Sequence, residues 1–125
     1  MWSDTPEETK VWKGLAEDVH EKYPDITVKL ETVTFADYWD KLSTQIASEN
    51  EADVVAMQSL RMPGYAVRGA LQPLASFIDD SGFDVDDFFG PIRQGLSVDG
   101  ELYALGYDIG PIILYYNKDL FNKAA

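Results

Sequence analysis

Two segments of the chain place apolar residues at the three- and four-residue spacing of an amphipathic helix. The first begins after the helix-start run 4–8, which combines a cap candidate, a proline and two acidic residues, and it closes before Pro24. Its apolar positions are Val11, Leu15, Val19 and Tyr23, with Trp12 and Ala16 beside them. The second covers about 36–48, where Tyr38, Leu42 and Ile46 share one face beside Trp39. We expect both faces to be buried, with Trp12, Tyr23 and Trp39 in the core.

Two short apolar runs alternate with these helices and predict β-strands. Residues 26–33 alternate apolar and polar side chains, which is typical of a strand with one buried face. Residues 53–57 form a compact apolar run of the kind that a buried parallel strand uses. The order helix, strand, helix, strand is typical of α/β proteins. We therefore predict an α/β fold in three layers, a partly parallel sheet with flanking helices.

The second half of the chain has a different pattern. Proline and glycine interrupt residues 58–75, which predicts turns and short helices. The acidic run 79–87 reads as a loop that leads into a short helix near residues 88 and 89. Asp99-Gly100 stands between apolar pieces and is a strong hairpin signal. Residues 112–116 predict a further strand, and a helix opens at Asn117.

Composition and charge exclude several function classes. The chain has 125 residues, with 10 Lys and Arg against 22 Asp and Glu, and a net charge of −12. Such a surface repels phosphate, so neither nucleic acid nor anionic lipid is an expected partner. Cysteine is absent and histidine occurs once, as His20 on a charged helix face, which disfavours thiolate chemistry and His-rich metal sites. We expect no metal and no cofactor.

Motifs for specific chemistry are incomplete. The acidic run 79–87 does not fit the spacing of a calcium-binding loop, and 64–69 has phosphate-loop glycines without the Lys and Ser or Thr that must follow. Paired carboxylates for glycoside hydrolysis stay open, because no spacing singles out one pair. The aromatic residues Trp2, Phe35, Tyr65 and Tyr107 fall in turns or between strand and helix, where rings can stack on sugars. The segments 34–37 and 58–62 both follow predicted strands, at the sheet edge where α/β proteins bind ligands.

Six short motifs in order carry a family resemblance. They are Pro24–Val28, Tyr38–Leu42, Ala52–Val55, Gly69–Leu74, Asp99–Leu105 and Tyr115–Phe121. Together they resemble the family 1 extracellular solute-binding proteins of bacterial ABC importers, which include maltose- and other oligosaccharide-binding proteins. The resemblance implies a type II periplasmic-binding-protein-like fold whose two lobes close on a sugar by hinge motion. It also implies an ABC permease as partner, no catalysis, and an extracellular or periplasmic location with a membrane anchor or secretion in the full-length parent.

The resemblance assigns ligand-binding residues by position. They are Trp2, Ser3, Asp4, Thr5, Glu31, Thr34, Phe35, Gln58, Ser59, Arg61, Tyr107 and Asp108. No catalytic residue and no metal ligand is implied.

The chain also departs from the family pattern. Family members are several times longer, so we expect residues 1–125 to be a single domain, most of the N-terminal lobe without its first strand and without the second lobe. Gly106 and Ala52 stand where the family has proline. An incomplete sheet has unpaired edges, which predicts homo-oligomers or strand exchange. The alternatives are a fragment of a carbohydrate-active hydrolase that uses paired carboxylates and an acidic protein-interaction module.

Overall fold

The computed structural model describes residues 1–110 and 113–124, which form two compact units, Met1–Ala70 and Leu71–Ala125. The first unit contains helices α1 (Pro6–Lys22), α2 (Phe35–Ala47) and α3 (Met62–Ala66). The second contains α4 (Ala75–Ser81), a 3₁₀ turn (Val85–Asp87), α5 (Gly90–Gly95), strands β1 (Ser97–Val98) and β2 (Glu101–Leu102), and α6 (Lys118–Ala124). In the part of the chain that the structure describes, no helix is both long and apolar enough to cross a membrane.

Helix α1 begins and ends as the sequence predicts. Thr5 Oγ1 accepts the N–H of Glu8 at 3.2 Å, and Glu8 Oε2 accepts the N–H of Thr5 at 3.3 Å. This reciprocal pair is a capping box, which satisfies amide groups that the first helical turn leaves free. Pro6 occupies the first helical position and Pro24 follows the end. The predicted helix is therefore confirmed by local interactions alone.

The predicted burial of the apolar face of α1 is wrong. Val11 is 62% exposed, Leu15 48% and Val19 36%, and Tyr23 beyond the helix end is 50% exposed. Trp12 is half-buried. The periodicity identifies the side that would face a packing partner, but burial needs that partner. In the described structure this face stays between 36% and 62% exposed.

Helix α2 carries the buried part of the first unit. Its first turn is capped by Thr34, whose Oγ1 accepts the N–H of Asp37 at 3.3 Å. The side chains that are buried in this unit are Tyr38, Trp39, Leu42, Met62, Tyr65 and Ala66, from α2 and α3. Ser43 Oγ lies within hydrogen-bond distance of Tyr65 Oη, 3.3 Å away, and so links the two helices. The predicted core position of Trp39 is confirmed.

The predicted strands 26–33 and 53–57 are not formed as ladders. Residues 1–3 run parallel to residues 31–33, with Ser3 N–H donating to Val33 O at 2.9 Å and Val33 N–H donating to Met1 O at 3.3 Å. The rest of 26–32 and all of 53–57 are irregular. Alternation of apolar and polar residues predicts a strand, but a β-strand forms only when its backbone N–H and C=O groups are hydrogen-bonded to an adjacent strand. Within the described residues the parallel pairing stops at one bridge.

The predicted hairpin is confirmed in the second unit. Strands β1 and β2 are antiparallel, and Asp99 and Gly100 connect them with φ of 51° and 87°. Two positive φ values are the signature of a type I′ turn, which matches the twist of the strands. Leu74 N–H donates to Leu102 O at 2.8 Å, which ties the start of α4 to β2.

The end of the second unit gives a mixed outcome. Asn117 Oδ1 accepts the N–H of Leu120 at 3.0 Å, so the predicted helix at Asn117 is confirmed as α6. Of the predicted strand 112–116, residue 112 lies outside the described residues, and 113–116 are not in a strand. Residues 113–116 form no strand because no adjacent strand among the described residues pairs with their backbone.

Gly106 occupies a confined position beside α5. A Cβ built on it would lie 2.6 Å from Ile92 Cγ2 and 3.7 Å from Leu96 Cδ1. The first distance is shorter than real Cβ contacts allow. Glycine at this position therefore avoids a clash with Ile92.

Candidate functional site

Four aromatic rings gather where the N-terminal segment meets α2. The Trp2 ring centroid lies 5.6 Å from that of Phe35, 5.2 Å from Tyr38 and 5.6 Å from Trp39. The Trp2 contacts with Phe35 and Tyr38 are edge-to-face, an arrangement that adds to the gain from burying the rings. Tyr38 Oη donates to Ala56 O at 2.8 Å, which ties the segment after residue 53 to the same place. Two predicted site residues, Trp2 and Phe35, are thus in contact.

Asp4 joins the starts of the two long helices. Its Oδ1 accepts the N–H of Phe35, the first residue of α2, at 2.8 Å. Its own N–H donates to Glu8 Oε2 of α1 at 2.9 Å. A carboxylate is stabilised by the partial positive charge at a helix N-terminus. Asp4 Oδ2 makes no hydrogen bond with any described residue and remains available as an acceptor.

Three hydroxyl groups of the predicted site already have partners within the chain. Thr5 and Thr34 cap α1 and α2, and Thr34 Oγ1 also donates to Asp37 Oδ2 at 2.7 Å. Ser3 Oγ donates to Thr5 O at 3.1 Å and lies 2.8 Å from Thr9 Oγ1. These side chains fix the backbone of the two loops.

Glu31 forms an ion pair with Lys41 of α2, with Oε2 and Nζ 3.0 Å apart. The hydrogen bond from Lys41, reinforced by its charge, lowers the pKa of Glu31 below its ordinary value. The pKa of the Met1 amine is also lowered, first by burial and then by the Lys41 charge, while Glu31 opposes the shift. The pair holds segment 31–33 against α2.

Arg61 lies over the face of the Trp39 ring. Its guanidinium carbon is 4.3 Å from the ring centroid, which is a close cation–π contact. Arg61 is exposed, and its guanidinium makes no hydrogen bond or ion pair with the described residues. Trp39 is only 8% exposed, and its indole N–H is buried without an acceptor in the described structure.

The backbone before Arg61 is held by a tight turn. Gln58 O accepts the N–H groups of Arg61 and Met62, both at 2.9 Å. Gln58 is half-buried and Ser59 is exposed, and neither side chain is hydrogen-bonded to a described residue. Both are free to meet a ligand.

Tyr107 and Asp108 belong to the second unit. They follow β2 in an irregular segment, and both are exposed, Tyr107 by 53%. The other ten predicted site residues lie in the first unit, in the segments 2–5, 31–35 and 58–61.

One interpretation needs revision, and two contacts were missed. Tyr65 is not an exposed stacking ring but a core residue, 9% exposed, because the turn around Gly64 is the short helix α3. Lys41 was missed, although Glu31 in the predicted strand 26–33 and the lone lysine of the following helix could have suggested the ion pair. The contact of Arg61 with Trp39 had no local signal, since the two residues lie 22 positions apart in the sequence.

The arrangement in the first unit combines apolar ring surface with hydrogen-bonding groups. It offers aromatic rings, a carboxylate oxygen, an amide, a hydroxyl and a guanidinium. Across residues 1–110 and 113–124, no group of three or more Asp, Glu or His side chains converges as metal ligands would.

Comparisons with known proteins identify the family. The family model described as bacterial extracellular solute-binding protein matches residues 2–125. A mannitol-binding protein of Pseudomonas aeruginosa is 32% identical over 89% of this chain, and an arabinooligosaccharide-binding protein of Bacillus subtilis is 28% identical over 100%. The chain spans about a quarter of the length of these relatives, 25% and 29% respectively.

A solved structure shows the same similarity in three dimensions. An ABC substrate-binding protein from Listeria monocytogenes in complex with cycloalternan superposes with a TM-score of 0.73 and 29% identity, over 82% of this chain and 26% of the other. Sequence, family model and backbone geometry agree. The chain therefore belongs to the bacterial extracellular solute-binding proteins.

Proposed function

We propose that this chain supplies one side of a carbohydrate-binding site in the receptor of an ABC importer. The observation that carries the proposal is the cluster of the Trp2, Phe35 and Trp39 rings in the first unit, with Asp4 bonded to the Phe35 amide and Arg61 over the Trp39 ring. Relatives named for mannitol and arabinooligosaccharide binding support a sugar as the ligand class.

The physical basis is the two-sided character of a sugar. Its C–H faces pack on flat aromatic rings, and its hydroxyls need both donors and acceptors, which a few well-placed polar groups supply. Asp4 offers an acceptor and Arg61 offers donors. The family model describes solute-binding proteins and the relatives are named for binding, so the hydrolase alternative with paired carboxylates is not retained.

The proposal extends to architecture and partners. Residues 1–125 are a single domain of the receptor, most of a three-layer N-terminal lobe without its first strand and without the second lobe. Tyr107 and Asp108, in the second unit, are proposed as ligand contacts on the family resemblance alone. The closed receptor docks on an ABC permease outside the cell, where it is anchored or secreted. Unpaired strand edges make the isolated chain self-associate, which native mass spectrometry measures as a dimer or larger species in place of the 14.0 kDa monomer.

The three tryptophans provide a direct test of sugar binding. A ¹H–¹⁵N spectrum of the ¹⁵N-labelled chain shows one indole signal each for Trp2, Trp12 and Trp39, assigned with single Trp→Phe variants. Titration with mannitol, arabinotriose and maltotriose to millimolar concentration is expected to move the signals of Trp2 and Trp39. The Trp12 signal serves as the internal control, because α1 lies outside the proposed site.

The outcomes separate the alternatives. No movement with any of the three sugars, or movement of Trp12 alone, contradicts the proposal. Recovery of cleaved arabinotriose or maltotriose after incubation with the chain would support the hydrolase hypothesis instead.

A further inference from the structure

Helix α1 leaves the apolar face formed by Val11, Leu15 and Val19 largely in contact with solvent. The three side chains follow one another at four-residue intervals and are 62%, 48% and 36% exposed. Exposed apolar surface that is continuous along a helix, on a chain with a net charge of −12, is typical of an interaction site.

A residue of opposite charge stands at each end of this α1 face. Glu8 precedes Val11 by three residues, and Lys22 follows Val19 by three. With 3.6 residues per turn, both lie within about 20° of Leu15 around the helix axis. Glu8 uses Oε2 for the cap of α1, which leaves its Oε1 as an acceptor. Lys22 is exposed and forms no ion pair within the described residues.

The spacing of these five residues reads the same in both directions. Glu8, Val11, Leu15, Val19 and Lys22 are separated by three, four, four and three residues. The mean of about 3.5 is the spacing that lets two helices pack side by side along a seam. A two-fold axis at Leu15 that reverses the helix direction brings the partner's Val19 level with Val11 and the partner's Lys22 level with Glu8.

Charge complementarity selects this antiparallel arrangement. In a parallel pair Glu8 would face Glu8 and Lys22 would face Lys22, which is unfavourable at both ends. In the antiparallel pair each end joins a carboxylate to an ammonium group, and the interface is isologous, as in most homodimers.

The net charge of the chain does not prevent two copies from meeting here. Helix α1 contains three lysines against five acidic residues, so it carries a net charge of −2, whereas the whole chain carries −12. The remaining negative charge lies outside α1, so the repulsion between copies is small where two α1 helices meet.

The length of the face sets the expected strength of the interface. From Glu8 to Lys22 it extends over about 21 Å of helix axis. Ile26 N–H donates to Tyr23 O at 2.9 Å, so Tyr23, Ile26 and Val28, which are 44–50% exposed, adjoin its end. Specific interfaces begin at about 1,000 Å² of total buried area, and a face of this length corresponds to that lower end, so we expect a dissociation constant on the order of 10–100 μM. At the low micromolar concentrations of an unfolding experiment the chain is then monomeric.

We propose that the α1 face is a self-association surface on which a second copy of the chain docks its own α1, antiparallel and with Leu15 at the two-fold axis. The interface consists of helix side chains and is separate from the strand edges considered above. It does not depend on sugar binding.

Sedimentation velocity over a range of about 2–200 μM tests the surface. The wild-type chain should change from monomer to dimer, and Leu15→Glu should weaken association at least about tenfold, because two carboxylates would meet at the axis. Val67→Glu is the matched control, since Val67 is 75% exposed and lies outside α1, and it should associate like the wild type. Far-UV circular dichroism shows whether each variant keeps its helices.

Cysteine cross-linking tests the orientation, because the chain has no cysteine of its own. Under mild oxidation Leu15→Cys should link to itself. Val11→Cys should not, since the two copies of residue 11 would lie about 12 Å apart along the helix axis, beyond the reach of a disulfide. It should instead link to Val19→Cys in a mixture in which one variant is ¹⁵N-labelled, so that mass spectrometry identifies the mixed dimer.

The outcomes decide the inference in either direction. A wild-type chain that stays monomeric up to about 200 μM overturns it. A dimer that Leu15→Glu leaves intact also overturns it and assigns self-association to the strand edges. Self-linking of Val11→Cys without the mixed dimer contradicts the antiparallel arrangement. If Leu15→Glu does not fold, the milder cysteine variants decide the question.

Discussion

Helices α1 and α2 start from the same kind of signal and end in different environments. Both begin with a threonine whose hydroxyl accepts an amide of the first turn, and both carry an apolar stripe. The 17 residues of α1 include none that is buried, whereas the 13 residues of α2 include Tyr38, Trp39 and Leu42. The sequence of a helix thus determines where its apolar stripe lies, but the elements packed against the helix determine whether that stripe is buried.

The neighbours of α2 can be named. Trp2 packs on its first turn, Asp4 accepts its first amide, Lys41 pairs with Glu31, and Ser43 meets Tyr65 of α3. Beside α1, by contrast, the segment after Tyr23 leaves Ile26 and Val28 about as exposed as the helix face itself, at 49% and 44%. Helix caps can therefore be predicted from a few neighbouring residues in the sequence, whereas burial in the core cannot.

Equal leucine truncations in the two helices should give the largest contrast. Leu42 is 2% exposed and Leu15 is 48% exposed. Leu42→Ala is expected to lower the free energy of unfolding by about 2–5 kcal/mol through lost burial and a cavity. Leu15→Ala should cost less than about 1 kcal/mol, because the side chain is half in water already.

Urea unfolding followed by far-UV circular dichroism measures both values. A loss for Leu15→Ala as large as that for Leu42→Ala would break the comparison, since it would mean that the α1 face is covered in solution. If that loss also depended on protein concentration, a second copy would be the cover.

Removal of the bond between the two helix starts should have an intermediate effect. Asp4→Ala deprives the Phe35 amide of its acceptor, and the expected loss is about 1 kcal/mol, as for other N-terminal caps. Hydrogen exchange at Phe35 should become faster, while the amides in the middle of α1 keep their rates. Asp25→Ala is a suitable control, because Asp25 is exposed and has no hydrogen bond within the described residues. Unchanged exchange at Phe35 in Asp4→Ala would contradict the assignment.

The smallest effect concerns the pH dependence of the contact between Glu31 and α2. Because Lys41 lowers the pKa of Glu31 below 4.5, the contact favours the folded state above that ordinary value, and the contribution disappears as the pH falls through the lowered pKa. An NMR titration of Glu31 should show the low pKa. Lys41→Gln should return it toward 4.5, and Lys29→Gln, whose charge is a smaller cause, should shift it less. An equal response to both substitutions would refute the ion pair as the cause.

The sequence predicted the elements whose causes are local. The caps Thr5, Thr34 and Asn117 set helix starts, and Asp99-Gly100 set the hairpin, since each acts within about four residues of itself. The predictions of strands at 26–33 and 53–57 were wrong. A β-strand needs backbone hydrogen bonds to a neighbouring strand that is distant in the sequence, and the local pattern does not show whether that strand is present.

Prediction of the site reached a similar limit. The family resemblance assigned both Trp2 and Phe35 to the ligand site, and the two rings are in contact. The resemblance also named Arg61, but it did not indicate that the guanidinium rests on Trp39, a residue that periodicity placed in the core. Tyr65 was wrongly expected to be an exposed ring. A proline and a glycine nearby predicted a turn, but the backbone there forms the helix α3, which buries Tyr65.

The close approach of Gly106 to Ile92 has a consequence for the order in which this sequence can change. Any residue with a Cβ at position 106, including the proline of its family, meets a methyl group at 2.6 Å. That methyl belongs to a β-branched side chain with few alternative rotamers, so it cannot easily turn away. A substitution of Gly106 therefore needs a smaller residue at position 92 beforehand, because the reverse order produces a strained protein. Positions 92 and 106 are thus sterically coupled, and their substitutions should not be additive.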